Sequence, residues 1–189
     1  MAGSYNKQIN ITSVLLLSRE GGRVWPMFEK QFQFHQEWSD QPLLVPLLLA
    51  EIALDNCQRR LGRSEEALDE LEETMGQHEY HNRPRRNPPD MDFVSSARKL
   101  NFIGNDVAKD VARLQSFTSV LKKIVEFKGG NLQENNCGEE ALKGNWVLDD
   151  KLAYLFDVCR VLQTQSEYEE KRIYILTQVV RPPFPVLHC

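Results

Sequence analysis

Residues 92–127 read DFVSSARKLNFIGNDVAKDVARLQSFTSVLKKIVEF. Within this stretch Phe93, Leu100, Val107, Leu114 and Leu121 recur every seven residues, with a companion row of Ile103, Phe117 and Ile124 beside them. Apolar residues at that spacing lie along one stripe of a helix that packs against another helix. Asp90 or Asp92 can cap its start, where a negative side chain suits the helix N-terminus. Lys128 before Gly129-Gly130 predicts a stop after Phe127.

The same pattern extends to both sides. Leu47, Leu54, Leu61, Leu68 and Met75 form one row and Ala50, Cys57 and Leu71 a second, predicting a helix from about Leu43 to Met75. Pro42 and Pro46 flank its start and Gly76 supplies its stop. A further helix is predicted from near Leu148, capped by Asp149 or a neighbour. It carries Leu148, Leu155, Leu162 and Leu176 on one row and Leu152, Cys159, Ile173 and Val180 on the other. Gln165, Ser166 and Glu169 interrupt this seam, and Arg181-Pro182-Pro183-Phe184-Pro185 ends it, because proline cannot continue a helix.

Upstream, Trp25, Phe28, Phe32, His35 and Trp38 share one face of a predicted aromatic helix over Val24 to Trp38, with Pro26 tolerated in its first turn. Residues 1–22 form an N-terminal segment in which Ile9 to Leu17 suits either a strand or a helix start, before the Arg19-Glu20-Gly21-Gly22 break. His78 to Pro89 and Asn131 to Asn145 read as polar connections. Helices of about 30 to 35 residues are roughly 45 to 50 Å long. Joined by connections of roughly fifteen residues, they predict an all-α fold, an elongated antiparallel bundle of long helices with coiled-coil-like packing. The expected organisation is one helical bundle domain over 23–181, followed by a proline-rich tail over 182–189.

A chain of 189 residues lies within the range of one domain. A formal net charge of -4 over both signs gives no general attraction to nucleic acid. Cys57, Cys137, Cys159 and Cys189 include no C-x-x-C pair, and Cys57 and Cys159 fall on apolar rows, as free cysteines of a reducing interior do. Val14 to Leu17 is too short for a secretory core and Pro42 to Leu54 too short and too interrupted to span a bilayer. The Asn10-Ile11-Thr12 sequon then carries no expectation of glycosylation.

Candidate chemistry fails on residue type or spacing. A magnesium-diphosphate site on facing helices needs acidic residues that do not follow Asp149-Asp150. In the run opening Asn105-Asp106-Val107, Lys109 and Arg113 stand where ligands belong, and a cation cannot ligate a cation. No histidine has a glutamate three residues before it, which excludes a di-iron bundle. His78, Glu79 and His81 lack further ligands for a metal, and Arg83, Arg85 and Arg86 lack aromatic stacking partners for nucleic acid. No phosphate-binding glycine loop, nucleophile elbow or informative Cys-His pair is present. No catalytic, cofactor-binding or metal residue is therefore assigned. The most apolar stretch, Pro42 to Leu49, reads as a helix start buried by the aromatic face of Trp25 to Trp38.

Two segments carry a resemblance. One runs from His35-Gln36-Glu37-Trp38 through Pro42-Leu43-Leu44-Val45-Pro46-Leu47-Leu48-Leu49-Ala50-Glu51. The other is Asp92-Phe93 with Arg98-Lys99-Leu100-Asn101. Together they resemble the cytosolic helical region of fungal CorA-like metal-ion transporter proteins, and Leu148 to Val180 looks like the long helix that leads into the membrane in that family. The resemblance covers about Val24 to Val180. It implies a long-helix cytosolic domain, magnesium or another divalent ion as the transported species of complete members, and oligomerisation around a pore. The chain departs from the family in having neither the two transmembrane helices nor the Gly-Met-Asn signature, so transport by this chain alone is not expected.

The expected function is that of a non-enzymatic, soluble, cytoplasmic helical protein equivalent to such a stalk, acting through association with a protein partner or with itself. No nucleic acid is expected as a partner, and a divalent cation only as the resemblance implies. The helix Leu148 to Val180 is the candidate contact, its Gln165-Ser166-Glu169 break suiting register selection. The alternative is a stand-alone helical interaction or effector protein unrelated to ion transport.

Overall fold

The structure is a computed structural model that describes residues 2–6, 11–15, 24–39, 41, 43–76, 92–132 and 139–180. Its elements are strands β1 (Ala2–Asn6) and β2 (Ile11–Leu15) and helices α1 (Val24–Phe34), α2 (Leu44–Met75), α3 (Phe93–Leu132) and α4 (Glu139–Val180). The long helices make the all-α bundle expected from the heptad rows. The loop His78 to Pro89 and the tail over 182–189 lie outside the described residues.

The choice between strand and helix near the N-terminus falls to strand. β1 and β2 pair antiparallel, with Ala2 opposite Leu15 and Asn6 opposite Ile11. The predicted Val24 to Trp38 helix is broken. α1 ends at Phe34, His35 adopts φ -107° and ψ 22°, and a single 3-10 turn follows over Gln36–Trp38. The His35 N–H is shared between the carbonyls of Gln31 and Phe32, the tightening typical of a helix end. Trp25, Phe28 and Phe32 do form a ladder, each successive pair of ring centroids 5.7 Å apart. No residue of α1 is fully buried, however, so its aromatic face is only half covered.

α2 begins and ends as its sequence directs. Pro46 occupies the first turn, where its missing N–H leaves no bond unmade. Gly76 closes the helix at φ 67°, a left-handed conformation glycine adopts freely, and donates its N–H to the Glu73 carbonyl. α3 is capped by Asp92, whose Oδ1 accepts the N–H groups of Val94 and Ser95 at 3.1 and 3.0 Å.

The interval between α3 and α4 corrects the prediction. α3 runs through Gly129-Gly130 to Leu132, and α4 starts at Glu139 rather than near Leu148. A glycine inside a helix costs only about 1 kcal/mol, so a pair of them does not compel a stop. Asp149 is accordingly no cap: it stands inside α4 and pairs with Lys128 of α3.

Contacts group the chain into two compact units, Met1–Asn56 with Gln115–Arg160, and Cys57–Leu114 with Val161–Cys189. α2, α3 and α4 each contribute one segment to each unit. In the first unit Leu44, Leu47, Leu48, Leu54, Leu121 and Leu155 are at most 2% exposed. Leu43, Leu44, Leu47 and Leu48 at the start of α2 are thus buried, while Val45, Pro46 and Leu49 are half-buried. There Lys151 meets Glu51 at 2.6 Å. The half-buried His35 lies near this pair, its pKa lowered first by burial and then by the charge of Lys151.

In the second unit Leu68, Leu71, Met75, Leu100, Ile103, Val107, Leu176 and Val180 form one core cluster. Helix directions follow from the contacts. Gln165 meets Glu65 and Arg172 meets Glu72, each across a separation of 100 residues, so α2 and α4 run parallel here. Arg60 meets Asp110 and Gly104 faces Ile173, which sets α3 antiparallel to both. Consecutive long helices in this unit are therefore antiparallel, as expected.

Candidate functional site

Five polar side chains are buried among the described residues: Ser64, Ser96, Asp110, Ser166 and Glu169. All five belong to the second unit. Each also occupies a place in a heptad row that the apolar residues skip. Ser64 falls between Cys57 and Leu71, Asp110 between Ile103 and Phe117, Ser166 between Cys159 and Ile173, and Glu169 between Leu162 and Leu176, while Ser96 precedes Ile103 by seven. The helical repeat forces these positions inward whatever their chemistry. Buried polar groups require partners, so the second unit is built around the bonds these residues make.

Asp110 is 1% exposed and receives two guanidinium groups on Oδ1, Nε of Arg60 at 2.9 Å from α2 and Nη1 of Arg113 at 2.7 Å from its own helix. Cys57 lies in the same environment: burial and the negative charge of Asp110 push its thiol up to about 11, against the opposing pull of Arg60. Cys159, in the first unit, is also buried and its thiol is raised by burial, with Thr118 donating to its sulfur at 3.6 Å. The sequence reading of these two cysteines as buried free thiols therefore holds.

Glu169 and Arg172 anchor the other half of the network. Arg172 donates from Nε to Glu72 at 2.9 Å, from Nη2 to Asp69 at 2.5 Å and from Nη1 to Glu169 at 3.4 Å, and it lies 5.8 Å from the centre of the Tyr168 ring. Burial alone would lower the Arg172 pKa, but bonds to Glu72 and Asp69 outweigh it and the net shift is upward. Glu169 is fully buried, and its second carboxylate oxygen, Oε1, has no partner among the described residues. Burial is the largest cause raising its pKa, opposed by Arg172 and reinforced by Glu65, Asp69 and Glu72. Ser166 satisfies itself by donating to the Leu162 carbonyl at 2.6 Å.

These contacts correct the reading of the α4 break. Gln165, Ser166 and Glu169 face α2 and the core of the second unit, where Gln165 donates to Glu65 at 3.1 Å. They set the register of α4 on α2 within the chain. Of the predicted apolar rows neither is left uncovered. A third row is exposed instead: Val161, Tyr168 and Ile175, seven apart, are 62, 58 and 60% exposed. Tyr154, one heptad earlier on the same helix and within the first unit, is 56% exposed. The predicted seam residue Phe93 is likewise 44% exposed.

The remaining sequence candidates disperse. Asp106 pairs with Lys109 three residues on at 2.8 Å on a solvated face, and Asp150 is exposed. His78, Glu79, His81, Arg83, Arg85 and Arg86 lie outside the described residues. Among the described residues no group of three or more His, Cys, Asp or Glu side chains is placed to hold a metal ion. No helix among them is long and apolar enough to cross a membrane. Sequence reading marked Glu169 as an interruption of the α4 seam but passed over Asp110, because it counted only apolar residues on α3; its heptad position between Ile103 and Phe117 was the available signal. No family model, curated protein or solved structure matches the chain.

Proposed function

We propose that the protein acts without catalysis, through helix-mediated association, and that α4 is the contact helix. The observation that carries this reading is the exposed row Val161, Tyr168 and Ile175, an apolar stripe at heptad spacing that no described part of the second unit covers. Covering each such side chain contributes about 1 to 2 kcal/mol towards docking a partner helix. The resemblance to the cytosolic stalk of CorA-like transporters supports a second copy of the chain as that partner, in the cytoplasm, with a divalent ion as the species served by complete members.

A second reading is favoured by charge. In the same unit α2 exposes Glu66, Asp69 and Glu70, an acidic patch that suits a basic partner helix better than another copy of itself. This is the stand-alone interaction protein, unrelated to ion transport.

Sedimentation of the full chain over a wide concentration range, with and without magnesium, separates them. The stalk reading expects concentration-dependent association that Tyr168→Glu abolishes without lowering the melting temperature, since the ring is already exposed. A chain that stays monomeric and indifferent to magnesium overturns it and leaves the stand-alone module.

A further inference from the structure

The side of the second unit formed by α2 and α3 holds a cavity of about 400 Å³. Its lining includes four cationic side chains, Arg60, Arg63, Lys109 and Arg113, and two acidic ones, Asp106 and Asp110, an excess of two positive charges in a protein of formal net charge -4. Concentrating cations against the sign of the whole molecule focuses the field on one place.

The chemistry of the lining narrows what fits. Asp110 is fully buried and takes one N–H from each of Arg60 and Arg113, which fixes both guanidinium groups at the cavity wall. Each guanidinium carries about five N–H donors. One carboxylate oxygen engages a single donor from each, and the two side chains remain 33 and 48% exposed. Arg63 has no hydrogen bond or ion pair among the described residues and is exposed. Three arginines with donors to spare match the planar, multidentate geometry of a phosphate group, which accepts through three oxygens. Beside them Phe102, 69% exposed on α3, gives the same cavity an aromatic wall. A cavity of this volume has the size of a small-molecule site.

We propose that this cavity binds a small phosphate monoester carried on a flat apolar body, the phosphate held by Arg60, Arg63 and Arg113 and the body laid against Phe102. Asp110 is a positioning residue that acts through the two arginines. Lys109 pairs with Asp106 and adds charge at the rim. The site lies on the α2 and α3 side of the unit and does not use the exposed α4 row, so it stands whether or not the chain associates.

The test is calorimetric titration of the full chain at constant ionic strength with phenyl phosphate and with inorganic phosphate. Phenyl phosphate is expected to bind several-fold more tightly. Phe102→Ala closes that gap, and Arg63→Glu weakens both ligands about tenfold or more. Neither change removes a buried group. Arg160→Glu alters an exposed cation in the first unit, which pairs with Asp157 on the same helix and is not part of the cavity lining, and leaves both affinities unchanged. The proposal is overturned if neither ligand binds saturably, or if Arg160→Glu weakens binding as much as Arg63→Glu. It is also overturned if vesicles containing phosphatidic acid bind through Arg63 while phenyl phosphate does not, which would assign the cations to a lipid surface.

Discussion

Replacing Glu169 by leucine should stabilise the protein. The side chain is fully buried in the second unit, in line with Leu162 and Leu176, and its Oε1 atom has no partner. An unsatisfied buried acceptor costs about 1 to 3 kcal/mol, and a leucine at a fitting core position contributes about 1.5 to 3 kcal/mol of burial. Against this stands the loss of one contact to Arg172 at 3.4 Å, the longest of the three that residue makes. Arg172 keeps Asp69 and Glu72, so it is not left as a lone buried charge. The balance is a gain of about 1 to 3 kcal/mol, or roughly 2 to 10 °C in melting temperature for a chain of this size.

The gain should depend on pH in a defined sense. The folded pKa of Glu169 is raised above its ordinary value of 4.5. A carboxyl with a raised folded pKa contributes stability that is fully present below pH 4.5 and is lost as pH rises through the folded value. Glu169→Leu removes that dependence, so its advantage should be largest at neutral pH and shrink towards pH 4. Denaturant unfolding followed by circular dichroism at pH 7 and pH 4 reads both quantities. A variant less stable than wild type at pH 7, or an advantage equal at the two pH values, would refute the reasoning.

Asp110→Ala should lose about 1 to 3 kcal/mol, the lower part of the range for breaking a buried pair because Arg60 and Arg113 are partly exposed. A double-mutant cycle with Arg60→Ala checks it, and additive losses would show that the two side chains do not interact. In a chain with Cys137→Ser and Cys189→Ser, Cys57 should resist thiol reagents at pH 8, where a thiol raised to about 11 is only roughly one part in a thousand thiolate. Both Cys57 and Cys159 should react on adding denaturant; equal rates in the folded and unfolded chains would contradict their burial.

Much of the bundle was legible because a leucine-rich seven-residue repeat makes a continuous apolar stripe that is favourably buried against neighbouring helices. Leu47, Leu54, Leu61 and Leu68 on α2, and Val107, Leu114 and Leu121 on α3, are buried as their spacing requires. So were the end of α2 at Gly76 and, to within the choice of Asp90 or Asp92, the start of α3, since each depends on one residue with a local conformational role. The ends near residues 129–148 were not, because glycine and polar residues tolerate helix nearly as well as loop. The aromatic helix Val24 to Trp38 broke at His35 for the same reason: period alone does not say where a turn tightens.

The sequence by itself marked most of the positions that face inward, Phe93 being an exception, and these include Ser96, Asp110 and Glu169, whose places in the repeat can be counted without coordinates. It could not determine what those inward polar groups would meet. That Arg60 reaches Asp110 on α3, or that Arg172 reaches Asp69 and Glu72 on α2, depends on the stagger between helices far apart in the chain. Stagger is set by how side chains of both helices interlock, and no single-helix repeat contains it. For the same reason only the tertiary structure could decide that the α4 rows running through Leu155 and Cys159 are used within the chain. It left the row of Val161, Tyr168 and Ile175 on the outside.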